Sequence, residues 1–93
     1  MYKLPKKKQL NIIEIKGGAF GYKYYYLGEK IRVKYGYNFT YLGVTYMLQR
    51  KRRFLWKNTA CSYAHKHKKD SLRDIFYYLL WYEKNRVELR SQF

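Results

Sequence analysis

Apolar and cationic positions alternate most clearly at residues 30–35, where Ile31, Val33 and Tyr35 interleave with Lys30, Arg32 and Lys34. A period of two with one apolar and one charged side predicts a half-buried strand. Gly36-Tyr37-Asn38 reads as a turn and Phe39 to Met47 as a second β-prone run, so the two runs predict a hairpin. Upstream, Leu10 to Ile15 is rich in β-branched residues and reads as a short strand. The cluster Gly17-Gly18-Ala19-Phe20-Gly21 interrupts regular structure. Tyr22 to Leu27 is aromatic and strand-like, with a tight turn at Gly28-Glu29. Phe54-Leu55-Trp56 fits a third short strand, or an anchor for the basic residues before it.

After residue 69 the pattern changes to a period near 3.6. Leu72, Ile75, Phe76, Leu79 and Leu80 recur at helical spacing, and Ser71 with Asp74 three residues later resembles a capping box. A helix over about Asp70 to Arg90 is expected, its apolar stripe on the sheet. Glu83 with Arg86, and Lys84 with Glu88, are expected to pair on its exposed side. Tyr77, Tyr78 and Trp81 widen the stripe and offer a surface to a partner. Together these elements predict one α/β (α+β) domain, a small antiparallel three-stranded sheet with a C-terminal helix. Residues 1–9 form a basic arm, 10–69 the sheet with its basic loops, and 70–93 the helix.

Composition narrows the function. Ninety-three residues suffice for one domain, and 47% hydrophobic content supports a core. The single cysteine, Cys61, excludes an intrachain disulfide framework and a multi-cysteine zinc module. The longest apolar or aromatic run, Ile75 to Tyr82, falls far short of the roughly 20 residues that span a bilayer. The basic opening, Met1 to Lys8, lacks the apolar segment of a secretory signal.

Charge is decisive in its placement. The net charge is +15, and residues 1–69 carry all of that excess, with 17 Lys and Arg against Glu14 and Glu29. Self-repulsion on that scale makes a polyanion the natural partner, nucleic acid first and an anionic membrane surface second. The chain has twenty aromatic residues, thirteen of them tyrosines, and many of the tyrosines are interleaved with Lys and Arg. Aromatic faces beside cations suit base stacking and phosphate neutralisation.

Candidate chemistry is otherwise sparse. Cys61, His65 and His67 supply three potential ligands where a structural zinc site needs four, so no metal is expected. No close carboxylate pair suggests acid–base catalysis, and Cys61 with His65 lacks an orienting third group. The glycine cluster lacks the Lys-Ser/Thr ending of a phosphate loop. No catalytic residue, cofactor or small-molecule substrate is expected. The expected RNA contacts are instead cationic: Lys6, Lys7 and Lys8; Arg32 and Lys34; Arg50, Lys51, Arg52, Arg53 and Lys57; and His65, Lys66, His67, Lys68 and Lys69. Neutralising around eight phosphates would give a log K against log[salt] slope of about −6 to −7.

The stretch Leu27 to Met47 resembles the small-subunit ribosomal protein nineteen family. Leu27-Gly28, Ile31, Val33, Gly36, Phe39, Leu42, Val44 and Thr45 follow that family's hairpin spacing. Met47 stands one residue early, Phe54 needs a further deletion, and Gln49 to Arg53 replaces the family's Gly-His-Lys-Leu-Gly-Glu stretch. The match covers about 30 of the 93 residues. The resemblance implies a structural constituent of the small ribosomal subunit, contacting ribosomal RNA and neighbouring small-subunit ribosomal proteins without chemistry. With an AT-biased composition, rich in Lys, Tyr, Ile, Phe and Asn, it implies a mitochondrial ribosome. The hairpin is also similar, with more gaps, to the large-subunit ribosomal protein twenty-seven family. Two alternatives stand beside it. Gly43-Val44-Thr45-Tyr46 is similar to the opening of the plant APETALA-type DNA-binding domain, three strands and a helix. A basic accessory subunit of an organellar membrane complex, resting on anionic lipid without a transmembrane segment, is the other.

Overall fold

The computed structural model describes residues 4 and 6–91, with side chains described as far as residue 86. Residues 1–3 and 5 of the expected basic arm and residues 92–93 of the expected helical region lie outside these. Five strands, β1 (Glu14–Gly17), β2 (Lys23–Gly28), β3 (Ile31–Asn38), β4 (Gly43–Arg52) and β5 (Leu55–Tyr63), precede one helix, α1 (Leu72–Ser91). The strands pair antiparallel in sequence order, β1-β2-β3-β4-β5. Short 3-10 turns lie at Lys7–Gln9, Ala19–Gly21 and Ala64–His67.

The expected three-stranded sheet is therefore corrected to five strands. The physical reason lies in the hairpin turns and the pleat. Arg53 stands at φ 59°, and Arg52 pairs with Leu55 across it, so the chain reverses within the basic run. Successive strand residues point to opposite sides, so four adjacent cations need not crowd one another. β4 thus runs on through Arg52, and β5 pairs with it as far as Tyr63, with an irregularity between Leu48 and Gln49. At the other end, β1 begins at Glu14 and ends at Gly17, later than the β-branched run suggests.

Packing follows one row across the sheet. Ile15 lies opposite Tyr25, Tyr25 opposite Val33, Val33 opposite Leu48, and Leu48 opposite Ala60. The last four are buried against Ile75, Phe76, Leu79 and Leu80 of α1, with Leu10 closing the edge. The helix starts where Ser71 accepts the Asp74 amide at 3.2 Å, and Lys7 forms an ion pair with Asp74. One covered face supplies the core; the other carries no helix.

A second correction concerns Glu83. Its expected exposed pairing with Arg86 gives way to a buried position, 3% exposed, facing Arg50 of β4. Arg50 donates from Nε to both carboxylate oxygens at 3.0 and 2.9 Å and from Nη2 at 2.8 Å. Charge-assisted, forked pairing of this kind is what admits a carboxylate beneath a helix. Burial pushes the Glu83 carboxyl up to about 7 and lowers the Arg50 guanidinium.

Candidate nucleic-acid interface

One residue along each strand from the core row lies a row of opposite character. Glu14, Tyr26, Arg32, Gln49 and Asn58 stand opposite one another across all five strands. The pleat turns this row to the face without the helix. Arg32 Nη1 donates to the Tyr26 hydroxyl at 3.0 Å, and Arg32 Nε donates to Gln49 Oε1 at 2.8 Å. Gln49 Nε2 donates in turn to Asn58 Oδ1 at 2.8 Å.

The directions of these bonds are forced. Arginine only donates, so Gln49 must present its oxygen to Arg32 and its nitrogen to Asn58. Asn58 then turns its own NH2 group outward. A donor-only residue at one end thus sets the polarity of the row to the other end.

Aromatic rings frame the same cations. The Arg32 guanidinium lies 4.2 Å from the Tyr24 ring centre and 4.1 Å from that of Trp56. Lys34 Nζ stands 4.0 Å over Tyr22, Lys16 5.5 Å from Tyr26 and Lys51 5.9 Å from Trp56. Tyr26 and Trp56 meet edge to face at 5.9 Å. Such cation–ring contacts hold charges in place that would otherwise swing freely in solvent. The open face is a cationic and aromatic surface with Glu14 at its β1 edge.

The expected RNA contacts separate onto different parts of the molecule. Arg32, Lys34 and Lys51 share the open face. Arg50 points to the helix side, where Glu83 holds it. Arg52, Arg53 and Lys57 surround the β4–β5 turn, whose tip exposes Phe54 and Leu55. Lys6, Lys7 and Lys8 lie at the first 3-10 turn, near the start of α1. His65 and Lys66 are exposed beside Tyr63, as are Lys68 and Lys69 further on. Tyr22, Tyr24, Tyr26, Trp56, Gln49 and Asn58 were not legible as site residues, because only the strand register brings them together.

His67 is placed differently from its basic neighbours. It is 9% exposed, with Ser62 Oγ at 2.6 Å from Nε2 and Asp70 Oδ2 at 2.8 Å from Nδ1. The carboxylate accepts only, so Nδ1 donates to it and the Ser62 hydroxyl donates to Nε2 in the neutral ring. The order matches a nucleophile–base–orienter relay. Ser62, however, is itself only 8% exposed, and Tyr46 and Tyr78 flank the imidazole. The three residues pin the Ala64–His67 turn between β5 and α1. Cys61 lies opposite Met47, whose strand neighbour Leu48 is in the core row, so the thiol stands on the open face and not with His67. Burial raises its pKa, against a hydrogen bond with Thr45. Among the described residues, no three His, Cys, Asp or Glu side chains converge as a metal site. No helix there is long and apolar enough to cross a membrane.

No family model matches this chain, and neither does any curated protein or solved structure with which it was compared.

Proposed function

We propose that this chain is a structural RNA-binding protein that holds RNA against the open face of its sheet. One observation carries the reading. Arg32 lies between Tyr24 and Trp56 on the one sheet face that the helix leaves uncovered, with Lys16, Lys34 and Lys51 around it. Fixed donors and cations meet phosphates, and tyrosine and tryptophan rings offer stacking surfaces to unpaired bases. RNA presents such bases in loops and bulges, whereas a duplex hides them. The ribosomal part of the proposal, a place on the small subunit of a mitochondrial ribosome beside ribosomal RNA and neighbouring proteins, is supported by the Leu27 to Met47 resemblance. No chemistry is assigned to the protein.

Fluorescence titration with a single-stranded RNA and with a duplex DNA of equal charge tests the binding reading. Tighter binding of the RNA is expected, with Arg32→Ala weakening it by about 1–3 kcal/mol. Equal affinity for both polymers, unchanged by Arg32→Ala, would refute it. Sedimentation of native material on a sucrose gradient tests the ribosomal part. Co-migration with the small subunit is expected, and migration as free protein would remove it.

A further inference from the structure

Beside the polar row, the open face sinks into a cleft of about 40 Å³ lined by Tyr22, Lys34, Asn38, Gln49 and Asn58, among others. None of its lining residues is acidic. Lys34 brings an ammonium group to it. Each amide oxygen around it is already engaged. Asn38 Oδ1 accepts from the Thr40 and Tyr41 amides at 2.9 and 3.2 Å. Gln49 Oε1 is taken by Arg32 and Asn58 Oδ1 by Gln49. What remains for a ligand at the Gln49–Asn58 end of the cleft is a set of donors: the Asn58 NH2 group, the second hydrogen on Gln49 Nε2 and the Lys34 ammonium. Asn38, opposite Gly43, lies six residues further along β4, about 20 Å away.

We infer that this cleft is a seat for one phosphate of the RNA backbone, an inference that rests on the open face being the RNA surface. A cleft lined by free donors with one positive charge and no carboxylate calls for a ligand group made of acceptors and bearing negative charge. Size agrees. About 40 Å³ holds about three waters, the scale of a phosphate's oxygens. A base edge that carries its own donors would leave them facing other donors, which is costly at a partly desolvated site. Seating one phosphate fixes the register of the strand, so that following nucleotides fall on the Tyr24, Arg32 and Trp56 side of the row.

The test uses the full ¹⁵N-labelled chain and follows its side-chain amide signals by NMR. Inorganic phosphate and then a short single-stranded RNA are the probes, with sodium chloride as the ionic-strength control. The Gln49 and Asn58 NH2 signals are expected to shift saturably with both probes and not with chloride, Gln49 serving as the reporter in variants at position 58. Asn58→Asp keeps the oxygen that accepts from Gln49 but replaces the outward donor with a charged acceptor. It is expected to abolish the phosphate response. Lys34→Ala is expected to weaken it roughly tenfold, and answers the same question if the aspartate variant fails to fold. A response to phosphate but not to RNA would overturn the inference, as would shifts that merely track ionic strength. RNA affinity undiminished in Asn58→Asp would overturn the seat while leaving the open-face reading in place. Failure of the wild-type chain to bind any RNA would remove that reading, and the inference with it.

Discussion

The Tyr22 ring lies against Gly36, so closely that a β-carbon at position 36 would overlap its Cδ1 and Cε1 atoms. Its hydroxyl donates to the Tyr37 carbonyl at 2.6 Å, which clamps the ring onto β3. The ring then forms one wall of the cleft and a platform for Lys34. Gly36 is thus a strand residue retained for close approach, with the reversal falling beyond Asn38.

Gly36→Ala is expected to destabilise the fold by about 1–3 kcal/mol, because the ring must leave its place. Tyr22→Ala should relieve the conflict, so the double variant should cost less than the sum of the two single changes. Urea denaturation of all four proteins measures this. Additive losses would show that the ring and the glycine do not interact.

Leu79 is fully buried between α1 and the sheet. Truncation to alanine removes its contacts and leaves a cavity that the surrounding strands only partly fill. Leu79→Ala is expected to cost about 2–5 kcal/mol in the same denaturation experiment.

The Glu83 carboxyl, raised to about 7 by burial, gives the protein a pH dependence whose sign is set. Between about pH 4.5 and 7 the folded chain retains a proton that the unfolded chain has lost. Stability therefore falls as pH rises through that window, by at most about 1.4 kcal/mol per pH unit. Glu83→Gln should flatten that slope. Arg50→Ala should be more damaging above pH 7 than at pH 5, since it leaves an ionised carboxylate buried without its guanidinium. Thermal melts across pH 4.5–8 give both answers.

Lys51 and Arg50 are adjacent in sequence and point to opposite faces, so their substitutions should separate. Lys51→Ala is expected to lower the magnitude of the salt slope of RNA binding by about 0.7 with little change in stability. Arg50→Ala should change stability far more than the salt slope. Binding measured from low to moderate salt, beside denaturation, distinguishes the two.

The amino-acid sequence by itself determined the local elements and the electrostatic character. Ser71 and the spacing of Leu72, Ile75, Phe76, Leu79 and Leu80 specify where α1 starts and which stripe it buries, because those are properties of one turn and its neighbours. The alternation at Ile31, Val33 and Tyr35 likewise marks β3, and the count of Lys and Arg fixes the charge. The sheet's extent was less visible. β5 lacks an apolar alternation, and Arg53-Phe54 carries no turn signature, so its pairing depends on β4 being there to receive it. Only the tertiary structure decided that Glu83 meets Arg50, that Gly36 admits Tyr22, and that the row at Tyr26, Arg32, Gln49 and Asn58 lies one residue away from the core row. These relationships join residues up to 33 positions apart. They are set by strand register and by which face the helix covers, and a one-residue slip of register would carry every one of them to the other side of the sheet.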